Sequence, residues 1–383
     1  MMEMIHMAKY LNVEYEFEDN DASFAEFGWD FQSNAGLYLF LHFIKEANSV
    51  IIESKNQDIE IELTDRILYA QAKALQDENT INTENAKLRD ALVSLAKVNS
   101  HLNDKLVYIS NLCAPINKEK DRFRNDMVAF KNCSPEIRNF ILQQMDIIIN
   151  NIKKKLDNAK LSKRQRNKNK SLLHRLENFD FDNFYIASIY PFAQDGDRYK
   201  VIKSKSIETL TDIMEIDSER VMSITGKIMR QWQAELKFNA TIADKGNDRR
   251  SISKSKFVWT VIALYGDNIP NEKIRESLSD CIESTLDDEC RRYMESDRNI
   301  YHERFEFMNK VLSNYEKFKS TVQHGQHADI AYIKSDEWQQ FSNEFNDIEY
   351  EPLREYVTKS YMLKFVRRNR EFLKIQKGVN LCS

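Results

Sequence analysis

Hydrophobic and polar positions follow two different periods in the first part of the chain. Residues 28–47 are predicted as a helix buried on most sides, because the apolar run 37–41 leaves no polar face. Three short runs follow, at 50–53, 58–63 and 67–73, and in the last two every second residue is apolar. Such alternation is typical of strands with one buried face. The pattern therefore predicts a helix followed by three neighbouring strands.

The alternation also predicts how the second and third strands pair. A two-residue turn at 65–66 would place Asp58 opposite Lys73 and Glu60 opposite Gln71. A slip of one residue would bring apolar side chains onto the charged face, so this register is favoured over its neighbours. In this arrangement one face belongs to the core and the other collects the acids, the amide and the lysine.

Helical periodicity dominates the rest of the chain. A helix is predicted near 84–104, and a second helix begins at Pro135, with Ser134 as its N-cap. The basic stretch 153–175 continues from this second helix. Two further extended runs are predicted as strands, at 106–110 and 184–192.

Beyond residue 205 the pattern is helical only. Helices are predicted at 206–216, 218–238 and 256–265 and in a series from 270 to the end, while the polar segment 244–256 is predicted as a loop. We therefore predict an α+β fold, with a mixed N-terminal domain of residues 1–205 and an all-α C-terminal domain of residues 206–383.

Composition supports a mostly helical, folded chain. Its 383 residues include 8 Gly and 5 Pro, whereas average usage would give about 27 and about 19. The net charge of −4 does not by itself attract nucleic acid. Charge is unevenly distributed, however, because 14–26 is acidic while 153–175 carries ten Lys or Arg against one acid, Asp157.

Cysteine usage and hydropathy favour a cytoplasmic protein. The five cysteines are scattered and form no CxxC pair, so neither structural zinc nor a disulfide framework is indicated. The N-terminal residues lack the basic and apolar regions of a signal peptide. The longest apolar stretch, around 35–43, is much shorter than the roughly 20 residues of a membrane span. We expect a soluble protein with no membrane partner.

The polar groups on the predicted strands suit phosphodiester cleavage. That reaction uses one or two Mg²⁺ or Mn²⁺ ions, held by carboxylates and neutral oxygens, to polarise phosphorus and activate water. Asp58 and Glu53 are candidate metal ligands, Gln71 offers a neutral oxygen, and Lys73 is placed to orient the nucleophile. The same spacing also fits a solvated strand face on which Asp58 and Lys73 form an ordinary cross-strand ion pair.

A longer pattern resembles the PD-(D/E)xK nuclease superfamily. It includes Gly28-Trp29-Asp30-Phe31-Gln32 at the helix start, the helix core 37–41, Ile52-Glu53 with Asp58-Ile59, and Tyr69-Ala70-Gln71-Ala72-Lys73. Within that superfamily the chain is similar to the double-stranded-DNA endonuclease domain of CBASS effectors and of the effector subunit of Lamassu defence systems. The match covers about 50 residues well and extends weakly to about residue 200 through the order of elements.

The resemblance implies a restriction-endonuclease-like domain and a role for each matched residue. Asp58 and Glu53 would be metal ligands, Gln71 would stand in the metal site where the superfamily has an acid, and Lys73 would be the catalytic lysine. Gln32 would match the helix glutamine that such domains place near the active site. One acid fewer lowers the ligand charge and leaves open whether one or two metals bind.

The resemblance also implies partners. These are double-stranded DNA, an SMC-like ATPase and a small accessory subunit, with homo-oligomerisation on activation. CBASS effectors follow the nuclease with a mixed α/β ligand-sensing domain, so the helical pattern beyond 205 favours the Lamassu arrangement. Two alternatives stay open: a catalytically inactive helical scaffold, and a CBASS-type effector gated by a cyclic oligonucleotide.

Other candidate sites are weaker. The basic stretch offers Lys163, Arg164, Arg166 and Lys168 for contacts with DNA phosphates, or it is simply a solvated helix end. No aromatic residue interrupts it, which disfavours base stacking. His324 and His327 have no ligand partner at zinc spacing, and no GxxxxGK[ST] or GxGxxG nucleotide-binding loop occurs.

Overall fold

The structure is a computed structural model that describes most of the chain. It covers residues 20–54, 57–74, 81–98, 103–111, 126–157, 161–189, 200–214, 218–241, 251–266, 286, 288–290, 292–293, 305–322, 327–367 and 369–381.

Seven strands form one mixed sheet in the order β5-β6-β4-β3-β2-β1-β7. The neighbours β3, β4 and β6 run parallel, and every other neighbouring pair is antiparallel. The strands are β1 (Ala47–Ile52), β2 (Ile59–Leu63), β3 (Ile67–Lys73), β4 (Lys105–Ser110), β5 (Asp126–Ala129), β6 (Phe184–Ser188) and β7 (Ile252–Ser253).

Helices cover both faces of this sheet. They are α1 (Asn20–His42), α2 (Ile81–Ala96), α3 (Pro135–Leu156), α4 (Lys163–Glu177), α5 (Lys200–Met214), α6 (Ser218–Thr241), α7 (Lys254–Gly266), α8 (Phe305–Lys319), α9 (Ala328–Lys334), α10 (Glu351–Arg367) and α11 (Asn369–Gly378), with 3-10 helices at Phe130–Asn132 and Asp336–Phe345.

Alternating side chains on the sheet divide the apolar residues between two cores. Leu68, Ala70 and Ala72 of β3 pack in a large core with α1 and the helices of the C-terminal half. Tyr69, between them in sequence, packs on the other face in a smaller core with α2, α3 and α4. Successive strand residues point to opposite faces, so the sheet is the middle of three layers.

The central helix α1 is buried along its second half, where residues 37–41 are all apolar. Residues 37–41 are nearly inaccessible to solvent, as their pattern predicts. Its backbone packs directly on the sheet at Gly36, where a Cβ would lie 2.3 Å from Ile52 Cδ1. Only glycine allows this close approach without displacing Ile52.

The predicted strand pairing is correct in its faces and wrong in its register. Ile61 lies opposite Leu68 and Ile59 opposite Ala70, two residues away from the predicted partners. The connection between β2 and β3 spans 64–66, closed by a hydrogen bond of 2.8 Å from the Leu63 amide to the Arg66 carbonyl. A shift of two residues leaves every side chain on its predicted face because the strand period is two.

The expectation of helices alone beyond residue 205 is wrong at one place. Ile252–Ser253, in the segment predicted as a loop, pairs with β1 and extends the sheet. Likewise, the predicted basic continuation of one helix is two helices, since α3 ends at Leu156 and α4 begins at Lys163. Short strands such as β5 and β7 carry too few residues for a period to be recognised.

The mixed α+β class is confirmed. The domain boundary near 205 stays a prediction, and the larger core continues across it, joining Phe40 of α1 with Trp232 of α6 and Phe257 of α7. In the described part of the chain, no helix has both the length and the apolar composition needed to cross a bilayer.

Candidate functional site

The structure brings Asp58 and Lys73 together at the end of the β2–β3 pair. Asp58 Oδ2 accepts a hydrogen bond of 3.0 Å from the Ala72 amide and lies 3.5 Å from Lys73 Nζ. Ladder pairing between β2 and β3 stops at Ile59 and Ala70. Beyond that pair, the Asp58 carboxylate accepts the hydrogen bond from the Ala72 amide of β3 in place of a backbone carbonyl.

The Asp58–Lys73 pair is partly shielded from solvent. The two side chains are 17% and 21% exposed, so water and a ligand still reach them. At 3.5 Å the ammonium is at the long end of ion-pair distances, which leaves it free to move toward an incoming phosphate. A contact of this kind contributes on the order of 0–1 kcal/mol when it is solvated.

Glu53 is tied to Asp58 through the backbone. Its amide donates a 2.7 Å hydrogen bond to the Asp58 carbonyl, and its φ of 56° lies in the left-handed region. A residue other than glycine is uncommon there and marks a constrained turn. The turn redirects the chain after β1, so the alternation of β1 does not fix the direction of the Glu53 carboxylate.

Gln71 lies on β3 between Tyr69 and Lys73, and the strand period places all three on the same face. Gln71 is 4% exposed. Burial, together with the charges of Glu60 and Asp104, raises the pKa of Tyr69 to about 12. The phenol beside the candidate site therefore stays neutral at ordinary pH and does not act there as a base.

Gln32 approaches from a different direction. It belongs to α1, which packs on the opposite face of the sheet from Gln71 and Lys73. Gln32 lies about one helical turn before Gly36, roughly 6 Å along the helix axis. Gly36 packs against Ile52, so this part of α1 lies under the end of β1. The Oε1 atom of Gln32 is buried and has no hydrogen-bond partner among the described residues.

This donor set fits Mg²⁺ or Mn²⁺ held with few protein ligands. Within the described residues, no three His, Cys, Asp or Glu side chains are grouped so as to hold a metal. Mg²⁺ commonly uses one or two carboxylates and keeps waters or substrate phosphates as its other ligands. Asp58 and Glu53 would supply the carboxylates, whereas Gln32 belongs to the helix that packs on the other face of the sheet.

The basic candidates lie on a separate element. Lys163, Arg164, Arg166 and Lys168 occupy the first half of α4, and the two lysines and Arg164 are exposed. A capping box between Ser162 and Gln165 starts the helix. The apolar second half of α4 attaches it to the smaller core. The structure thus places these cations on an outer helix and not on the strands that carry the candidate metal site.

A cavity of about 730 Å³ lies on the face of β1 and β2 that carries Ile51, Glu60 and Glu62. Its lining includes Glu60, Glu62, Asp65 and Asp104 together with the cation Arg66. An acidic lining of this kind repels phosphate, so the cavity is not a site for a nucleic acid backbone.

Two polar residues beside Asp58 are not singled out by their sequence. Ser54 and Gln57 form hydrogen bonds within the β1–β2 connection, and Gln57 reaches α2. The only sequence signal for them is two polar residues in the connection that leads to Asp58. Such a pattern is too common to identify a functional site. His327 precedes α9 at its N-cap position, and His324 lies outside the described residues.

Two cysteines of the described chain, Cys133 and Cys290, are buried thiols that form no disulfide there, and the Cys133 thiol donates to the Ala129 carbonyl at 3.5 Å. Cys113, Cys281 and Cys382 lie outside the described residues.

Comparison with known proteins yields a weak likeness. No protein-family model matches the chain, and no curated protein matches it. Two solved structures of the Acinetobacter baumannii Cap4 SAVED/CARF-domain containing receptor are similar to this chain, both with a TM-score of 0.34. The identity is 9% for the structure with the cyclic trinucleotide 2'3'3'-cAAA and 10% for the other. Each match covers 63% of this chain but only 46% and 47% of the receptor chains. A TM-score this low does not establish a shared fold.

Proposed function

We propose that this protein is a Mg²⁺-dependent endonuclease that cleaves double-stranded DNA. The observation that carries the proposal is the shared contact of Asp58 Oδ2 with the Ala72 amide and the Lys73 ammonium. It places a carboxylate and a lysine side by side at the end of two neighbouring strands, the arrangement that the PD-(D/E)xK resemblance implies. Gln71 is buried on β3, two residues before Lys73.

Each residue would have a distinct task. When bound, Mg²⁺ supplies a Lewis acid that polarises the phosphoryl group and activates water. Asp58 and Glu53 would hold the ion, and Gln71 would add a neutral oxygen. Lys73 would orient the attacking water and offset the charge of the scissile phosphate.

The cations of α4 would contribute affinity rather than chemistry. Exposed Lys and Arg side chains bind the DNA backbone without regard to sequence. Their place on a different element from Asp58 and Lys73 is consistent with a contact along the duplex, away from the scissile bond.

As part of the same proposal, the enzyme would serve as the nuclease effector of a Lamassu-type defence complex. Its partners would be an SMC-like ATPase and a small accessory subunit, and clustering of the nuclease would switch it on. The support is the resemblance of residues 28–73, and the helices of the C-terminal half would provide the assembly surface.

A non-catalytic scaffold is the second candidate, and one observation favours it. Asp58 and Lys73 satisfy each other in the structure, as an ordinary cross-strand ion pair does. In that case the sheet would keep a nuclease-like arrangement without activity.

Plasmid cleavage separates the two candidates. The full chain would be incubated with supercoiled plasmid in Mg²⁺, in Mn²⁺ and in EDTA, alone and with clustering enforced by a fused oligomerisation module. Nicked and linear DNA in the metal-containing reactions, and intact plasmid in EDTA, support the endonuclease. Intact plasmid under every condition, clustered samples included, favours the scaffold.

Two variants and a matched control test the residues. Lys73→Ala and Asp58→Ala should lose cleavage, whereas Lys310→Ala should retain it. Lys310 also pairs with an acid, Glu344, at 3.2 Å, but far along the chain on α8. Cleavage that survives both site substitutions would refute the assignment.

A CBASS-type effector is a third candidate. It requires binding of a cyclic oligonucleotide, which calorimetry with a cyclic trinucleotide would detect. Cleavage that depends on such a ligand would replace the Lamassu arrangement with this one.

A further inference from the structure

The connection between β1 and β2 is held by bonds at both ends. Glu53, in the left-handed conformation, donates its amide to the Asp58 carbonyl at 2.7 Å. This bond closes the connection directly before β2. The position of the Asp58 backbone therefore depends on the conformation of the residues between them.

Ser54 fixes the residue immediately before Asp58. Its hydroxyl accepts a hydrogen bond from the Gln57 amide and donates one to the Gln57 carbonyl, both at 2.9 Å. One side chain thus engages both backbone polar groups of Gln57. The peptide that leads into Asp58 has little freedom to rotate.

The Gln57 side chain ties this turn to a helix of another layer. It is 4% exposed, and its Nε2 donates a 2.8 Å hydrogen bond to the Ser94 carbonyl in the last turn of α2. Carbonyls in the last turn of a helix take partners from beyond the helix, and Gln57 is such a partner for Ser94 in addition to the Lys97 amide. The bond links positions 37 residues apart in the chain.

The Gln57 side-chain amide contributes little net stability through the contacts of the described residues. The Oε1 atom of Gln57 is buried with no hydrogen-bond partner among the described residues, and an unpaired buried oxygen offsets the bond made by Nε2. The Ser94 carbonyl also accepts the Lys97 amide at 3.1 Å, so it would keep a partner without Gln57. Because the bond made by Nε2 and the unpaired Oε1 offset each other, the burial of the Gln57 amide calls for an explanation besides its net stability.

We propose that Gln57 is a positioning residue for the candidate nuclease site, and that it holds the Asp58 carboxylate in place by anchoring the β1–β2 turn to α2. This inference rests on the proposed function. Asp58 touches the metal in that proposal, whereas Gln57 acts only through Asp58 and Glu53. Residues that orient metal ligands typically change metal affinity or activity by about 10- to 100-fold when they are substituted.

The test compares Gln57→Met with Gln144→Met. Gln144 is a matched control because it is also a buried glutamine that contacts α2, accepting a 2.7 Å hydrogen bond from Arg89, but it lies outside the β1–β2 turn. Gln57→Met should fold, since methionine fills the same volume and removes the unpaired oxygen. Its Mg²⁺ concentration for half-maximal cleavage should rise about 10-fold or more, while that of Gln144→Met stays at the wild-type value.

A second readout does not depend on catalysis. Amide hydrogen exchange at Glu53 and Ala72, the two amides bonded to Asp58, should quicken about fivefold in Gln57→Met, the fold-change that matches the loss of one ordinary hydrogen bond, and remain at the wild-type rate in Gln144→Met. Equal exchange at both amides in the two variants overturns the positioning role. An equal Mg²⁺ requirement in an active enzyme overturns it as well.

The two readouts separate failure of this inference from failure of the proposed function. If the wild-type protein cleaves no DNA in any assembly state, the nuclease proposal fails, and exchange alone decides whether Gln57 positions Asp58. If the wild type cleaves and Gln57→Met matches Gln144→Met in both readouts, the nuclease stands and the positioning role falls.

Discussion

Asp58 makes structural contacts and is also the candidate metal ligand, and two substitutions at this position separate these contributions. Asp58→Ala removes the acceptor for the Ala72 amide, the partner of Lys73 and the candidate metal ligand together. Asp58→Asn keeps an oxygen that can accept from the Ala72 amide but removes the negative charge. Comparison of the two therefore isolates the charge from the structural bond.

The magnitudes follow from the two contacts. A hydrogen bond to a charged acceptor contributes about 1.5–3 kcal/mol, and a neutral one about 0.5–1.5 kcal/mol. The Lys73 contact, at 3.5 Å and partly solvated, adds at most about 1 kcal/mol. We expect Asp58→Ala to destabilise the strand end by about 2 kcal/mol and Asp58→Asn by about 1 kcal/mol, because the asparagine oxygen still pairs with the Ala72 amide.

Local amide exchange measures this difference without requiring two-state unfolding of the whole chain. A destabilisation of about 2 kcal/mol corresponds to roughly 30-fold faster exchange at Ala72, and one of about 1 kcal/mol to about fivefold. Both variants should lose plasmid cleavage, since asparagine is a poor replacement for an anionic metal ligand. Equal exchange in the two variants would contradict the described bond, and wild-type cleavage by Asp58→Asn would contradict the role of the charge.

Three further outcomes follow from other parts of the molecule. Gly378→Ala should lower the free energy of unfolding by about 1–3 kcal/mol, because its Cβ would lie 2.6 Å from the Ile213 carbonyl oxygen. The control Gly226→Ala, whose Cβ would meet only a side-chain nitrogen at 3.8 Å, should raise the free energy of unfolding by about 0.5–1 kcal/mol. Denaturant titrations measure both changes. Tyr69 holds its proton to about pH 12 in the fold but ionises near pH 10 when unfolded. The native state therefore binds the extra proton in that window and stability falls as pH rises through it, a decline that Tyr69→Phe should reduce. Neutralising the four basic candidates of α4 should weaken DNA binding. It should also lower the slope of log affinity against log salt by about 0.9 for each phosphate that the protein no longer neutralises. An unchanged slope would mean that the basic helix has a structural role only.

Much of the fold could be predicted because the relevant patterns are local. The apolar run of α1 and the alternation of β2 and β3 each determine a buried face within one element, and both faces are as predicted. Ser134 is the N-cap of α3, with Pro135 as the first helical residue. Other boundaries differ from the prediction: α2 ends at Ala96 and not near 104, where the chain leaves the helix before β4.

The parts that could not be predicted depend on contacts between distant segments. Ile252–Ser253 is a strand only because β1 offers it an edge, and two residues carry no detectable period. Lys254, which follows it, is buried and donates to the carbonyls of Lys45 and Val379 at 3.2 and 2.9 Å, and this burial lowers its pKa. A lysine in a polar segment gives no sign from sequence that two remote carbonyls will enclose it.

The candidate site shows where local pattern stops being enough. Alternation places Asp58 and Lys73 on one face, and a pairing error of two residues cannot change that, because a shift of two preserves the face. Which atoms meet depends instead on where pairing ends. Since the last β2–β3 pair is Ile59 with Ala70, the Asp58 carboxylate meets the next free amide, that of Ala72, and the adjoining lysine. The connections before and after β2, at 53–58 and 64–66, therefore determine by their lengths which groups meet at this strand end. Neither secondary-structure propensity nor hydrophobic periodicity encodes those lengths.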